Sequence, residues 1–596
     1  MKLHWEYEFP VAREALWRYV ADTDWVNRHA NLPPIGVRME PLPDGGVRRI
    51  ASIHYGPILA AEWEERPTLW RAPVVFEVER RYTRGPLRLF ANRTELVEVD
   101  RGTRIVVDVD LQASTVFTRP LLRFIAAQGK AGADKAFALA AKLAAKPVTA
   151  TAQTAPMTTG ASGGKRYFDG LRSKDLDPAV VDAMERLLDE SDDRELVKIR
   201  PYEVAERYHL ARKATLRAFL AAASEGLLNL RWDALCPSCR GTADSFDTLA
   251  DLKSDMHCPS CNLSYGPQFD RSVEVTFNAK PLGRGGDVPL YCIASPQASE
   301  HVITQTLLAP GEVRTIELPF AVGSYDINAI GVDIVPFVAH ADETSDAVSG
   351  TIDGRTVTFP HALSTGDVQI RLENALERET IVRIEMGRWP DTIATAAHVT
   401  ALQEFRSMFS SEVLAPGLEL SVESMAILFT DLIGSTAMYS RAGDAPAFRI
   451  VTDHFAILRP LIEEHDGTIV KTIGDAVMAV FSDPAKCLSA ALEMDPAVRG
   501  ITHDGVPLRL RVGFALGPSI AMRANDKIDY FGTTVNLAAR LEAKADAGEV
   551  TLTHAAADRP DVAAVLRASG RTSASEMLQV KGFAQPIDVV RVMPDV

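Results

Sequence analysis

The 596-residue chain contains no uninterrupted apolar run of about 18 residues, so no hydrophobic membrane-spanning helix is expected. Its start, Met1-Lys-Leu-His-Trp-Glu-Tyr-Glu8, lacks the basic, apolar and small-residue order of a signal peptide, which points to a cytoplasmic protein. Positive charge is also short. Lys and Arg number 64 against 79 Asp and Glu, a net charge of −15, which argues against general affinity for nucleic acid or anionic membrane. There is no internal repeat and no charge block. Cysteine is scarce, six in all, and four of the six are clustered. The length predicts several domains rather than one core.

Three stretches near the C-terminal end carry the most chemistry. Asp431 closes the apolar run Met425-Ala-Ile-Leu-Phe429, which reads as a buried strand, and is followed by Leu-Ile-Gly434-Ser-Thr. Asp475 sits at the turn between Ile469–Ile473 and Val477–Phe481, just after Lys471-Thr-Ile-Gly474. The third stretch runs Asp529-Tyr-Phe-Gly532-Thr-Thr-Val-Asn536-Leu-Ala-Ala-Arg540. A lone strand-end aspartate is ordinarily a turn or N-cap residue. Two at neighbouring strand ends can share hard cations, and magnesium takes one or two carboxylates while keeping positions for water and phosphate.

With these motifs, residues 424–592 resemble the catalytic domain of a class III adenylate cyclase, a ferredoxin-like fold. The resemblance implies that Asp431 and Asp475 are ligands of two Mg²⁺ (or Mn²⁺) per active site. It implies that Lys471 and Asp529 read the base and that Asn536 and Arg540 orient the ribose and stabilise the transition state. Lys581, in Val580-Lys-Gly-Phe583, resembles a late lysine that contacts the terminal phosphates; a solvated surface lysine is the competing reading. In the family each site lies between two catalytic domains, with the metal aspartates from one subunit and the other four residues from its partner. One such domain per chain therefore implies a homodimer with two equivalent sites.

The residue types suit the chemistry. Attack of a ribose 3′-oxygen on the α-phosphorus needs positioning and charge stabilisation, not a Ser, Cys or His nucleophile. Lysine donates and aspartate accepts, matching adenine's N1 and 6-amino group; guanine presents the reverse pattern and would leave both side chains unmatched, at about 1–3 kcal/mol each. ATP is the expected substrate.

Upstream, Cys236-Pro-Ser-Cys239 and Cys258-Pro-Ser-Cys261 form two knuckles with zinc-ribbon spacing. Four thiolates would fill the shell of one structural Zn²⁺ per chain and leave no open catalytic position; disulfide or redox chemistry is the competing reading. Cys292 and Cys487 read as isolated buried thiols. Before the knuckles, Pro201–His209 and Lys213–Phe219 read as helices followed by an extended Asn229–Trp232, the order of a winged helix-turn-helix. Arg207, Arg212, Lys213 and Arg217 raise DNA binding, against a scaffold that makes protein contacts, which the acidic chain favours.

The whole chain is thus expected to be a multidomain α+β protein. Residues 1–146, with the alternating Leu3, Trp5 and Tyr7, a Pro10–Val20 helix and a long Leu121–Lys146 helix, resemble START-like helix-grip domains. That resemblance implies a cavity for an apolar small molecule, or a filled scaffold. Residues 147–165 read as a flexible linker that lets the first domain move; 166–235 as winged-helix-like; 236–268 as zinc ribbon. The alternation of Val273, Val275 and Phe277, repeated in runs ending at Val382, Ile384 and Met386, predicts a β-sandwich over 269–390. Val399, Leu402, Phe405 and Phe409 predict a connecting helix over 391–418, packed on its own chain or paired across a dimer. The catalytic domain takes 422–596. Two function classes follow: an adenylate cyclase regulated by sensor or interaction domains, or a silent signalling adaptor or DNA-binding protein that keeps the cyclase fold for dimerisation or nucleotide sensing.

Overall fold

A computed structural model describes residues 1–42, 47–55, 58–145, 167–258, 263–268, 271–286, 289–292, 295–329, 332–343, 345–387, 389, 392–409, 412–503, 505–525, 527–583 and 585–594. The expected linker at 147–165 and the fourth knuckle cysteine, Cys261, lie outside the described residues.

The first strand, Lys2–Phe9, alternates between half-buried and exposed residues as its sequence demands, and pairs antiparallel with Gly102–Ala113. Behind the sheet lie helices Arg13–Val20 and Leu121–Ala144. Leu16, Leu96, Ile105, Ala136 and Ala140 are fully buried between helices and sheet, and Trp17 meets Phe76 edge-on there with ring centroids 5.9 Å apart. This module does not stand apart from the rest. Its Leu69–Arg71 strand pairs with Val302–Leu308, fusing the two sheets into one of 13 strands. Asp24 also accepts from the backbone N–H groups of Tyr291 and Cys292, at 2.7 and 2.9 Å. Freedom of the first domain against its neighbours, expected from the linker, is therefore opposed by strand pairing and buried hydrogen bonds.

The helices Pro178–Glu190, Pro201–Arg207 and Arg212–Ser224 pack on a three-stranded sheet whose centre is Asn229–Leu235. Val273–Asn278 is a strand as expected, but it pairs here with Asn229–Leu235 instead of opening the sandwich. Its six residues are all buried, so both faces need cover, and a two-layer sandwich would leave one face exposed. The sandwich itself spans 302–386, its sheets meeting over Leu318, Ile327, Ile352, Ile370 and Ile384. Each basic residue that raised DNA binding faces a carboxylate of this chain: Arg207 Glu195, Arg212 Glu206, Lys213 Asp466 and Arg217 Asp175.

The single connecting helix is instead two, Ala396–Thr400 and Gln403–Met408, broken at Leu402, whose backbone is extended. The apolar stripe packs within its own chain: Phe405 meets Trp232 edge-on with centroids 5.7 Å apart and stacks on Phe409 at 5.2 Å. No helix among the described residues is long and apolar enough to cross a membrane, which says nothing of β-barrels.

The C-terminal sheet has the long strand Glu419–Leu432 between Ala476–Phe481 and Leu510–Ala524, with Gly467–Ile473 outside Ala476–Phe481. Its apolar run becomes the middle strand because Met425, Ala426, Ile427 and Leu428 bury both faces, with 0–1 % exposure.

Candidate active site

Asp431 lies where Glu419–Leu432 leaves the core, directly opposite Arg511 in the antiparallel ladder. Arg511 donates to Asp431 Oδ2 at 2.5 Å, and its Nε lies 2.6 Å from Glu542 Oε1. Asp475 reaches the same place through a two-residue hairpin. Ile473 pairs with Ala476, and the intervening Gly474 takes φ +65°, the left-handed region that a tight hairpin turn requires and glycine enters without a Cβ penalty. The next residue but one, Val477, pairs with Thr430, which sets Asp475 beside the strand end that carries Asp431.

The electrostatics show two carboxylates in want of a cation. Asp475 Oδ2 is buried without a hydrogen-bond partner. The Asp431 pKa is raised above the usual carboxylate range, first by burial and then by the Asp475 charge, with Arg511 opposing. Burial and the same two aspartates push Glu542 up to about 7 against the pull of Arg511. A hard divalent cation fits this donor set, because it would pair the orphaned oxygen and relieve the repulsion.

Lys471 and Asp529 form a second cluster. Lys471 Nζ donates to Asp529 Oδ2 at 2.6 Å and lies 5.3 Å from the centre of the Phe531 ring. Asp529 is buried, whereas Lys471 keeps a third of its side chain in solvent. The connecting segment braces this cluster. Arg406 donates to the carbonyl of Ile528, beside Asp529, at 3.2 Å and to that of Thr400 at 2.9 Å.

Asn536 and Arg540 are both exposed on the helix Thr533–Glu542. Four residues apart, they share a face. Glu542 is two residues beyond Arg540, about 200° around a helix of 3.6 residues per turn, so the two side chains leave on nearly opposite sides. Glu542 turns in toward Asp431; Arg540 turns out. Close contact fixes this orientation, since a Cβ on Gly513 would lie 2.0 Å from the Glu542 nitrogen. Lys581 stands exposed on the turn closed by Phe583 N–H to the Val580 carbonyl at 3.2 Å.

Sequence reasoning missed Arg511 and Glu542. Strand register alone reveals Arg511. Glu542 left a legible trace, as a charged residue on the helix face that otherwise buries Thr534, Ala538 and Leu541.

The model of the adenylate and guanylate cyclase catalytic domain matches residues 419–588. Residues 419–588 form a class III adenylate/guanylate cyclase catalytic domain. Ahead of this cyclase domain, residues 162–285 match a family of unknown function, DUF5939. An uncharacterized protein of Mycobacterium tuberculosis is 33% identical over 238 residues, covering 36% of this chain and 57% of that protein. The chain thus spans little more than half the length of the first curated relatives it matches. An adenylate cyclase of Streptomyces coelicolor is 33% identical over 123 residues, 21% of this chain and 30% of that enzyme. A receptor-type guanylate cyclase of Drosophila melanogaster is 29% identical over 164 residues, 25% of this chain and 11% of that protein. The crystal structure of the adenylyl cyclase CyaB from P. aeruginosa is 21% identical with a TM-score of 0.26, covering 30% of this chain and 97% of that one.

The knuckle thiols converge as well. The Sγ atoms of Cys236, Cys239 and Cys258 all lie within 4.8 Å of one another, and Cys239 and Cys258 are 3.8 Å apart, far beyond a disulfide bond of about 2.05 Å. The first knuckle is closed by Arg240 N–H to the Cys236 carbonyl at 2.8 Å, and Ser238 N–H points at Cys236 Sγ at 3.4 Å.

Proposed function

We propose that the protein is an adenylate cyclase, converting ATP to 3′,5′-cyclic AMP and pyrophosphate at sites shared by two chains. The observation that carries this reading is the Lys471–Asp529 pair, one donor and one acceptor held 2.6 Å apart at the edge of solvent, which suit adenine's N1 acceptor and 6-amino donor in an order that guanine's N1–H and O6 reverse. Asp431 and Asp475 would hold two divalent metal ions, Mg²⁺ or Mn²⁺, which supply Lewis-acid activation of the 3′-hydroxyl and offset charge on the triphosphate. Arg540 presents fixed donors to the α-phosphoryl oxygens as charge develops there, and Asn536, on the same helix face, orients the ribose. Lys581 serves the terminal phosphates.

The opposed directions of Glu542 and Arg540 support a site built from two subunits: the helix that braces the carboxylates of its own chain aims its catalytic face elsewhere. Exposed apolar residues flank the base-reading pair, with Ile473 at 54% and Phe531 at 41%, the surface a second copy would cover. Cys236, Cys239 and Cys258, with Cys261, suit one structural Zn²⁺. The domains ahead of the cyclase are its regulatory part. The adaptor reading is disfavoured by the assembled carboxylate and base-reading clusters. Incubation of the full chain with ATP and Mg²⁺ or Mn²⁺ should yield cyclic AMP, and Asp475→Ala should abolish it. Absence of product with either metal would return the adaptor reading.

A further inference from the structure

A cleft of about 670 Å³ lies where the first cysteine knuckle, the sandwich and the three-stranded sheet meet, lined in part by Arg240, Tyr265, Arg271, Asp326, Glu385 and Trp389. Its volume is in the range of small-molecule sites, about 300–1,000 Å³.

Two of its walls are carboxylates in direct cross-strand register, Asp326 opposite Glu385. Like charges so placed repel, and such a pair persists only with compensation. Glu385 is 99% buried by its side chain, at 1% exposure. Its Oε1 accepts from Asn328 Nδ2 at 2.6 Å, but Oε2 has no hydrogen-bond partner and stands 3.4 Å from His301 Nε2, an ion pair only when that imidazole is protonated. The Tyr265 hydroxyl on the same wall is likewise buried without a partner. Burial, then the Glu385 charge, raises the Asp326 pKa, with Arg240 opposing.

Arg240 and His301 face the pair. Arg240 lies 5.3 Å from the centre of the Trp389 ring and donates to the Met386 carbonyl at 2.6 Å, one guanidinium for two carboxylates. Arg271 is bound to Glu423 at 2.5 Å. Nor do the donors converge as a metal shell would. Among the described residues, the three knuckle thiols are the one group of His, Cys, Asp or Glu donors close enough to share an ion. What is missing is a further positive charge with N–H donors and a body that fits beside an indole.

We propose that this cleft binds a small organic cation carrying a primary ammonium group, received by Glu385 and Asp326 against the Trp389 ring. The same lining touches the catalytic sheet, since Gln268 Nε2 and Arg271 both hold Glu423, on the strand that carries Asp431.

Calorimetric titration of the full chain with putrescine, without nucleotide, tests the site independently of cyclase activity. Saturable binding of one molecule per chain is expected, with none for 1,4-butanediol, which has the same length without charge. Glu385→Gln and Asp326→Asn should each weaken putrescine binding at least tenfold; Asp326 is only half-buried, so its variant folds even where the Glu385 variant does not. No saturable binding of putrescine would overturn the proposal, as His301 alone would then compensate Glu385. Binding equal in wild type and Asp326→Asn, or matched by butanediol, would overturn it too.

Discussion

Mixing two inactive variants should restore about a quarter of the activity, because the metal carboxylates and Arg540 of one chain serve different sites. Asp475→Ala leaves both sites of its homodimer without a complete carboxylate pair. Arg540→Ala leaves both without the phosphoryl donor, a loss of about 10²–10³-fold for a single transition-state donor. Arg540 is exposed, so its removal leaves the core untouched. Equal amounts of the two variants, allowed to exchange subunits, give half heterodimers. In each heterodimer one site carries both lesions and the other carries neither, so half the sites of half the dimers work, about 25% of wild type for a two-fold assembly. The assay is cyclic AMP formed per milligram against mixing ratio, peaking at equal proportions. Activity no greater than the sum of the separate variants would instead place Arg540 and Asp475 in the same site.

Other expectations follow from the same geometry. Gly513→Ala drives a Cβ into the Glu542 backbone at 2.0 Å, so the Thr533–Glu542 helix must shift and activity should fall at least tenfold while nucleotide-free protein stays folded by circular dichroism. Glu542 has a folded pKa near 7, above the usual carboxylate value, so the folded state holds the extra proton; in metal-free buffer, stability should decline as pH rises from about 4.5 to 7, by up to about 3 kcal/mol, and Glu542→Gln should flatten that decline in urea titrations. Phe405→Ala empties a fully buried site between Trp232 and Phe409 and should cost about 3–5 kcal/mol, read from the urea midpoint. Cys258→Ser should lower bound zinc from one per chain toward none by elemental analysis.

Much of the catalytic domain was legible because its signals are local. An apolar run ending in aspartate makes a buried strand with a carboxylate at its mouth, and Gly474 before Asp475 specifies the hairpin. The Asn536–Arg540 spacing gives one helix face without tertiary information. Pairing was not local. Val273–Asn278 shows a strand period, yet nothing in those six residues names Asn229–Leu235 as its neighbour. The joining of Leu69–Arg71 to Val302–Leu308 crosses more than two hundred residues and reversed the expectation of a freely moving first domain. Arg511 was hidden for the same reason, since an arginine in an alternating strand looks like a solvated one until register sets it against Asp431. The connecting helix failed at Leu402, whose extended backbone separates two short helices while Val399, Leu402 and Phe405 all stay buried in one core.

The choice of base is read out by kcat/KM for ATP against GTP on the full chain with Mn²⁺, alongside Lys471→Ala. Cyclic AMP should form from ATP with a preference of at least tenfold over GTP, about the cost of one unmatched partner, and that preference should collapse in the variant. Cyclic GMP formed from GTP as fast as cyclic AMP from ATP, or a preference unchanged by Lys471→Ala, would contradict it.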